Sequence, residues 1–380
     1  MAPIPANSTV LVSGASGFVA AWCCRVLLQR GHRVRGACRS EEKAQYLQQL
    51  FDRDFPGQFE TVMADDLETP GVFDEAVKGV DGVLHTASPF HFNTDGKAIT
   101  ALINPALKGT ENMLQSCLKH GDKLKRVVIT SSFAAILDTA KPVPQQYTEE
   151  DWNETSVKET ERDGEAQEPV SSYRSSKTQA ERAAWAFVER EQPSWDLATI
   201  NPPYIIGPPI HPCASAEKLN TSSKTCWDIL HGAKKEDDMP GLLGCVVDVR
   251  NVADAHVMAL LHTEAGGHRF APTIGELRSP SPQPRSADTT AGKWTLQDVA
   301  DIVHSSARIP AEWRGNVPTG KPQTGGAVVQ NGLSGEKTAK VLGVQYHTLQ
   351  NTFEATAIAL KDYEKRNWQG LPDPSIFELH

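Results

Sequence analysis

The chain has 380 residues, of which 39% are hydrophobic and 22% are charged, as in an ordinary globular protein with a large core. Its formal net charge of -9 argues against a nucleic-acid-binding surface. The 7 cysteines are odd in number and lack Cys-x-x-Cys spacing, which fits a reducing compartment and offers no zinc site. Residues 1–8 do not resemble a signal peptide, and no apolar run is long enough to cross a bilayer. We therefore expect a cytoplasmic protein that binds no metal, nucleic acid or membrane.

A glycine-rich turn follows the first predicted strand. Residues 9–13 are β-branched and apolar, residues 21–30 have a helical pattern, and residues 32–38 form a second predicted strand. This order of strand, turn, helix and strand is the context of a dinucleotide-binding fingerprint. Gly14 permits the tight turn, and Gly17 lets backbone amides approach a pyrophosphate at the positive end of the helix. An ordinary turn between a strand and a helix is the alternative interpretation.

The end of the second strand indicates which nucleotide the turn binds. An NAD-specific site usually has an acid there, which bonds the ribose 2′-hydroxyl. This chain instead has Arg39, with Lys43 one turn into the next helix. Arg39 can bind a 2′-phosphate with two hydrogen bonds, and Lys43 can add a positive charge. The pattern favours NADP(H), with a solvated basic patch as the alternative.

Two further strands end in side chains suited to a ligand, because the carboxyl ends of parallel strands meet at one crevice. Asp66 and Leu67 follow the third strand and are predicted to contact the adenine. The fourth strand contains His85, which we interpret as a buried core histidine rather than a base. Phe90 and Phe92 come soon after that strand and are candidates for an aromatic wall beside a substrate.

The fifth and sixth strands also end in candidate site residues. Ser132 follows the fifth strand and is suited to donate a hydrogen bond to a substrate carbonyl oxygen, although capping a turn is an equal alternative. Pro202 and Pro203 follow the sixth strand. Because prolines stiffen the chain and forbid regular ladder pairing, the backbone here is free to hold a nicotinamide carboxamide.

A helix that begins near Ser171 or Ser172 is predicted to carry the proton donor. Tyr173 and Lys177 are four residues apart and therefore lie on one face of it. A phenol has a reference pKa of about 10, and a nearby ammonium lowers that pKa by favouring the phenolate. The pair would thus form a proton donor and acceptor tuned toward neutral pH, which carbonyl reduction needs. Accidental spacing on an exposed helix is the alternative.

Two segments are predicted to lie at the surface. Residues 138–170 are acidic and contain three prolines, which indicates a long surface loop with at most a short helix. Residues 278–293 are rich in proline and serine, which indicates an insertion in a surface loop. Both segments are expected to affect which substrates fit and reach the site, rather than the reaction itself.

In combination, these motifs resemble the extended and intermediate short-chain dehydrogenases/reductases. Within them the chain is similar to fungal NADPH-dependent aldehyde and ketone reductases and to plant dihydroflavonol reductases. The resemblance covers nearly the whole chain, through residues 12–20, 37–43, 83–90, 127–135, 173–185, 201–208, 219–222, 247–250, 253–256 and 316–322.

The resemblance implies a role for each matching residue. Tyr173 would donate the proton, Lys177 would hold the ribose and tune Tyr173, and Ser132 would polarise the carbonyl. Arg39 and Lys43 would bind the 2′-phosphate. The remaining cofactor contacts that it implies are Gly14, Ala15, Ser16, Gly17, Phe18 and Val19 at the pyrophosphate, Asp66 and Leu67 at the adenine, Pro202, Pro203, Tyr204 and Ile205 at the nicotinamide, and Ser222 from the smaller domain.

The predicted architecture is an α/β fold, a Rossmann-type doubly wound parallel sheet with a smaller C-terminal substrate lobe. Residues 1–203, with 245–262 returning, would form the NADP-binding domain. Residues 204–244 and 263–380 would form the lobe. Candidates for an apolar substrate pocket are Phe90, Phe92, Phe133, Tyr204 and Trp227.

The predicted function is reduction of a ketone or aldehyde to an alcohol by NADPH, in a monomer or homodimer. The first alternative is an NAD-dependent sugar-nucleotide epimerase or dehydratase, which the cations at Arg39 and Lys43 disfavour. The second is a non-catalytic NADP(H)-sensing protein, which the intact pair of Tyr173 and Lys177 disfavours.

Overall fold

The strands of the chain are short, and most belong to one sheet. The computed structural model describes residues 4–88, 94–238, 241–274, 293–322, 324 and 330–379. Within these residues the strands are β1 (Thr9–Ser13), β2 (Arg33–Cys38), β3 (Phe59–Met63), β4 (Gly82–His85), β5 (Arg126–Thr130), β6 (Gln146–Tyr147), β7 (Asp196–Ile200), β8 (Tyr204–Ile206), β9 (Leu242–Asp248), β10 (Arg269–Phe270), β11 (Lys293–Thr295) and β12 (Gly332–Leu333).

The helices of the described residues connect and cover these strands. They are α1 (Phe18–Gln29), α2 (Glu41–Asp54), α3 (Asn104–His120), α4 (Thr155–Asp163), α5 (Pro169–Glu191), α6 (Thr221–Leu230), α7 (Val249–Leu261), α8 (Leu296–Ser305), α9 (Ala311–Arg314), α10 (Glu336–Leu342) and α11 (Leu349–Lys365). None of them is long and apolar enough to cross a membrane.

The main sheet has seven strands in the order β10-β7-β5-β4-β1-β2-β3, all paired in parallel. Successive side chains of a strand point to opposite faces. In β1, Val10 and Val12 therefore pack with α1 and α7, whereas Leu11 packs with the cluster that contains residues of α3 and α5. Because helices cover both faces, the central strands β1, β4 and β5 are buried over most of their length, whereas the edge strand β3 is mostly exposed. The predicted doubly wound fold is confirmed.

A second, three-stranded sheet begins the smaller part of the molecule, in the order β11-β9-β8. Its core includes the fully buried Trp294 and Phe353, together with residues of α6, α8 and α11. The chain then returns, since α7 packs against α1. Near the C-terminus, the ring of Phe377 lies against Trp22 of α1, at 6.1 Å between ring centroids.

The acidic segment of residues 138–170, which leads into α5, is more ordered than predicted. Its strand β6 pairs with β12, and its helix α4 packs against α5. Tyr147, Asn153 and Ser156 are buried. The prediction of a surface loop is therefore wrong for these residues, because polar side chains inside the segment satisfy one another: the Asn153 amide donates to Ser156 Oγ at 3.0 Å. The predicted insertion at 278–293 lies outside the described residues, except that Lys293 begins β11.

Helix α3 contains two residues of types that disfavour a helix interior. The sequence contains Pro105 and Gly109 within an apolar helical run, yet α3 continues through both residues. Pro105 lies in the first turn, where a backbone N–H has no acceptor within the helix, so proline costs little there.

Candidate active site

The glycine-rich turn has the shape that a pyrophosphate needs. Gly14 adopts a φ of +63°, and a Cβ there would lie 3.1 Å from the Cα of Ala87 at the end of β4. The Gly17 amide donates to the Gly14 carbonyl at 2.8 Å, and α1 begins at Phe18 with no side chain capping it. The first backbone amides of α1 are therefore not used by a capping side chain and are left for a ligand. Such a helix start beside a glycine turn fits the phosphates of a dinucleotide.

The other residues of the turn hold it in place. The Ala15 amide donates to the Ala37 carbonyl of β2 at 3.0 Å. The Ser16 amide bonds the Cys38 thiol, although burial still raises the pKa of that thiol to about 11. The ring of Phe18 packs edge-on against His211, at 5.6 Å between centroids. Ser16 and Val19 are half-buried.

The two predicted phosphate ligands lie after β2. Arg39 is exposed directly after the strand, and Lys43 is half-buried in the first turn of α2. Arg35, inside β2, bonds Glu60 Oε1 at 2.6 Å and the carbonyl oxygens of Ala76 and Lys78 at 2.9 and 2.8 Å. Arg35 is thus bonded to β3 and to the chain that follows it, whereas Arg39 and Lys43 come after the carboxyl end of β2.

The predicted adenine contacts follow β3. The Asp66 carboxylate accepts hydrogen bonds from the Glu68 amide at 2.9 Å and the Thr69 hydroxyl at 3.0 Å, so it also stabilises its own turn. The Leu67 carbonyl accepts from Asn112 Nδ2 of α3 at 2.8 Å. This bond fixes the backbone that presents both side chains.

Helix α5, which carries Tyr173 and Lys177, begins earlier than predicted. Helix α5 starts at Pro169, and the Glu168 carboxylate caps it by accepting from the Ser171 amide at 3.0 Å. The prediction of a start at Ser171 or Ser172 is wrong because proline is favourable in a first helical turn. Tyr173 therefore lies in the second turn of an established helix, on the same face as Lys177, whose ammonium is 5.9 Å from the phenol ring centroid.

Burial dominates the ionisation of this pair. It raises the pKa of Tyr173 to about 12, and a hydrogen bond with the Ser132 side chain opposes this rise. The same burial lowers the pKa of Lys177 to about 8. The expected lowering of the Tyr173 pKa by Lys177 is therefore wrong for the protein alone, because removing water disfavours the phenolate and the ammonium at once.

Ser132 caps its turn, which is one of the two roles that the sequence left open, and it also bonds Tyr173. Its hydroxyl oxygen accepts from the Ala134 amide at 3.1 Å, as a cap, and the same side chain bonds Tyr173. The turn that contains Ser132 is tied to the exit of β7, since the Phe133 amide donates to the Pro202 carbonyl at 2.8 Å. The structure thus places the predicted hydroxyl beside the predicted proton donor.

The residues predicted to hold the nicotinamide lie where the chain passes from the main sheet into the three-stranded sheet. Pro202 and Pro203 are buried, and Tyr204 and Ile205 belong to β8, which pairs with β9. The Tyr204 hydroxyl donates to Thr225 Oγ1 of α6 at 2.9 Å, and burial raises the pKa of that phenol to about 12. On the same helix, the buried Ser222 hydroxyl accepts from Asn220 Nδ2 at 2.9 Å.

Two of the candidates for the substrate pocket, Phe133 and Trp227, pack against different hydrophobic clusters. The Phe133 ring packs against Tyr147, at 5.8 Å between centroids. Trp227 stacks on His231 at 3.7 Å and meets Trp313 and Trp368, so its contacts are those of the lobe core. Phe90 and Phe92 lie outside the described residues.

Two residues with direct ties to the site were missed from the sequence. Ser88 accepts a hydrogen bond from Lys177 Nζ at 2.9 Å. Glu181 is buried four residues after Lys177 and eight after Tyr173, and it accepts from several side chains at the ends of neighbouring strands. The spacing of Glu181, on the face of α5 that carries Tyr173 and Lys177, is the signal that would have found it.

A parallel sheet with a glycine-rich nucleotide turn, and with a half-buried tyrosine one helical turn from a buried lysine, defines a dinucleotide-dependent enzyme. The chain belongs to the NAD dependent epimerase/dehydratase family, whose model matches residues 10–275. The predicted family is thereby confirmed.

Comparison with individual proteins shows which kinds of enzyme the chain is similar to. The chain is 34% identical to NADPH-dependent methylglyoxal reductase GRE2 of Saccharomyces cerevisiae, over 94% of this chain and 99% of that one. It is 34% identical to ketoreductase azaE of Aspergillus niger, over 92% and 96%. The solved structure of yeast methylglyoxal/isovaleraldehyde reductase Gre2 with NADPH superposes with a TM-score of 0.79 at 31% identity, over 94% and 99% of the two chains.

Proposed function

We propose that this chain reduces small aldehydes or ketones with NADPH. The observation that carries the proposal is the hydrogen bond between Ser132 and Tyr173, made one helical turn from Lys177 at the carboxyl edge of a nucleotide-binding sheet. The relatives confirm the predicted reaction class and cofactor, since they are named as an NADPH-dependent methylglyoxal reductase and a ketoreductase. Bound NADPH would supply the hydride to the carbonyl carbon.

The side chains supply the proton and fix the carbonyl. Ser132 donates a hydrogen bond to the carbonyl oxygen, beside the Tyr173 hydroxyl. Because the pKa of Tyr173 is raised to about 12, this phenol carries its proton at neutral pH. An oxygen that gains negative charge as the carbon is reduced becomes a stronger base than the phenolate and takes that proton. Lys177 stabilises the phenolate that remains, as a cation one turn away.

The cofactor contacts follow the geometry of the turn. The amides from Gly14 to Val19 bind the pyrophosphate at the start of α1. Arg39 and Lys43 bind the 2′-phosphate, which makes the site selective for NADPH over NADH. The adenine lies between Asp66 and Leu67. The exit of β7 at residues 202–205 and Ser222 of α6 close the nicotinamide end.

The two alternatives make different demands on these residues. A sugar-nucleotide epimerase retains NAD, which has no phosphate for Arg39 and Lys43. A non-catalytic sensor has no use for the Ser132 and Tyr173 pair, which the chain keeps. A solved family relative with UDP-glucose and NAD, MoeE5, is 18% identical with a TM-score of 0.63, a likeness that concerns the fold alone.

The test is a spectrophotometric assay of NADPH oxidation with a panel that includes methylglyoxal, isovaleraldehyde and aryl ketones. Turnover with NADPH above that with NADH supports the proposal. Tyr173→Phe should abolish turnover while NADPH still binds in a fluorescence titration. Tyr346→Phe is the matched control, because its phenol donates to the Gly335 carbonyl at 3.4 Å. Turnover retained in Tyr173→Phe would refute the assignment of the proton donor.

We also propose a cytoplasmic monomer or homodimer with a nucleotide-binding domain of residues 1–203 and 245–262. Support for a reducing compartment comes from the cysteines of the described residues, all 7 of which are free and buried. Support for the division comes from the separate core around Trp294. Cell fractionation and light scattering on the purified chain test the location and the oligomeric state.

A further inference from the structure

A single buried carboxylate lies beneath the catalytic residues. Glu181 is 1% exposed and is carried by α5, the helix of Tyr173 and Lys177. One of its oxygens accepts from Ser131 Oγ at 2.5 Å and Asn201 Nδ2 at 2.6 Å. The other accepts from Thr199 Oγ1 at 3.1 Å and, at 3.3 Å, from the indole N–H of Trp185.

An arginine neutralises this carboxylate and connects it to the acidic segment. Arg269 of β10 donates from Nε to Glu181 Oε1 at 2.6 Å. Its Nη1 donates to the carbonyl oxygens of Glu149 and Asp151 at 2.6 and 2.7 Å. The guanidinium also lies 3.7 Å from the ring centroid of Trp152. A buried carboxylate with so many donors is held in one place, because each unpaired donor would remain buried without a partner.

Apart from Trp185 of α5 itself, the groups that Glu181 binds lie on β7 or β10 or directly after β5 or β7, and these three strands are adjacent in the main sheet. Ser131 follows β5 and directly precedes Ser132. Asn201 follows β7, and its Nδ2 also approaches the Ser132 carbonyl at 3.4 Å. The backbone on both sides of the Ser132 turn is therefore tied to a side chain of the helix that carries Tyr173.

We propose that Glu181 is a positioning residue that sets the Ser132 hydroxyl opposite the Tyr173 phenol. This inference rests on the proposed function, because the relative position of the two hydroxyls matters only if both act on the same carbonyl oxygen. A reacting group that is misplaced by about 1 Å lowers the rate on the order of 100-fold. Hydrogen bonds to Glu181 that keep both hydroxyls in position therefore contribute to the rate.

Replacement of the carboxylate by an amide tests the tie. In Glu181→Gln, one acceptor oxygen becomes an NH2 group that faces donors, and Arg269 loses its counter-charge. We expect kcat to fall by about 10- to 100-fold, with little change in the KM for NADPH, because the turn shifts while the nucleotide site is kept.

The matched control is a variant of an ion pair at the amino ends of β5 and β7. Arg126 at the start of β5 pairs with Asp196 at the start of β7, through hydrogen bonds of 2.5 and 2.8 Å. Asp196→Asn thus weakens a buried arginine–carboxylate pair between β5 and β7 without touching the carboxyl edge. Both variants should lower the unfolding midpoint, and only Glu181→Gln should lower kcat strongly.

A double-mutant cycle measures the coupling between Glu181 and Ser132, which a loss of stability alone does not change. In a Ser132→Ala background, Glu181→Gln should lower kcat less than it does alone, because the group that it positions is absent. Additive effects, or an equal loss of kcat in Asp196→Asn, would overturn the proposal. Wild-type protein that reduces no carbonyl would instead overturn the proposed function. If Glu181→Gln does not fold, Ser131→Ala removes one donor and should lower kcat in the same direction, and unchanged kcat there also counts against the tie.

Discussion

The Lys177 ammonium donates a hydrogen bond of 2.9 Å to the Ser88 hydroxyl, which joins the catalytic helix to the chain that leaves β4. This contact crosses the same edge of the sheet at which Gly14 meets Ala87. The position of the lysine is thus set by the strand beside the glycine-rich turn, as well as by its own helix.

Removal of the Ser88 hydroxyl should therefore loosen Lys177. In Ser88→Ala, we expect kcat/KM for NADPH to fall about tenfold, because a hydrogen bond to a charged group contributes about 1.5–3 kcal/mol. Steady-state kinetics measures the effect. Ser305→Ala is the control, since the Ser305 hydroxyl donates only to helix carbonyl oxygens at the surface. Kinetics unchanged in Ser88→Ala would show that α5 alone orients the lysine.

The lowered pKa of Lys177 predicts a pH limit to activity. The free enzyme loses the ammonium as the pH rises through about 8, so kcat/KM for NADPH should decline above that pH. Lys177→Arg keeps its charge at higher pH, so its profile, although lower, should lack the decline near pH 8. An identical alkaline limb in both proteins would assign the limb to another group.

The same pKa has a consequence for stability, with a defined sign. Lys177 has a reference pKa of 10.5 and a folded-state pKa of about 8, so the native state binds fewer protons than the unfolded chain between these values. Its contribution to stability is present above pH 10.5 and is lost as the pH falls through 8. Lys177→Met should therefore raise the free energy of unfolding at pH 7 by on the order of 2 kcal/mol, measured by urea denaturation without nucleotide. A stability gain that is as large at pH 11 would exclude this origin.

Arg39 should determine the choice of nucleotide. In Arg39→Ser, NADPH should bind about 10- to 100-fold more weakly, because a charge-assisted bidentate contact to phosphate is lost. NADH binding should not change. Arg33→Ser is a matched control, since Arg33 is an exposed arginine at the opposite end of β2. Fluorescence titration with both nucleotides gives the ratio, and equal losses for NADPH and NADH would remove Arg39 from the phosphate site.

The sequence predicted those features that depend on local pattern. The apolar strands, the glycine turn at Gly14 and the pairing of Tyr173 with Lys177 follow from residues close together in the chain. The sequence also allowed Ser132 to cap a turn, and that cap is present.

What the sequence could not supply depends on contacts between distant residues. The pKa of Tyr173 is set by burial, which no local pattern reveals. The ties of Glu181 join residues 50 and 88 positions apart, to Ser131 and Arg269. Trp227 contacts Trp313 and Trp368, which lie far along the chain, so the sequence around Trp227 does not reveal these neighbours.

The C-terminal residues offer a last example of distant contacts and a test of their strength. The Arg25 guanidinium of α1 lies 3.4 Å from the ring centroid of Phe377 and bonds Asp54 at 2.8 Å. Phe377→Ala removes this cation–π contact together with the apolar area of the ring, and it should lower the free energy of unfolding by about 2–4 kcal/mol. Phe377→Leu keeps most of the apolar area, so it should lose less, with a deficit of about 1 kcal/mol from the cation–π contact.

Urea denaturation of both variants separates these contributions. The cation–π share is the loss that persists in Phe377→Leu and disappears when Arg25 is also replaced by methionine, because leucine and phenylalanine then face an uncharged partner. The Leu variant should keep wild-type kcat, since Phe377 packs on the flank of α1 rather than at the turn before it. If Phe377→Leu is as stable as the wild type, the ring contributes through its area alone, and the arginine is held by Asp54.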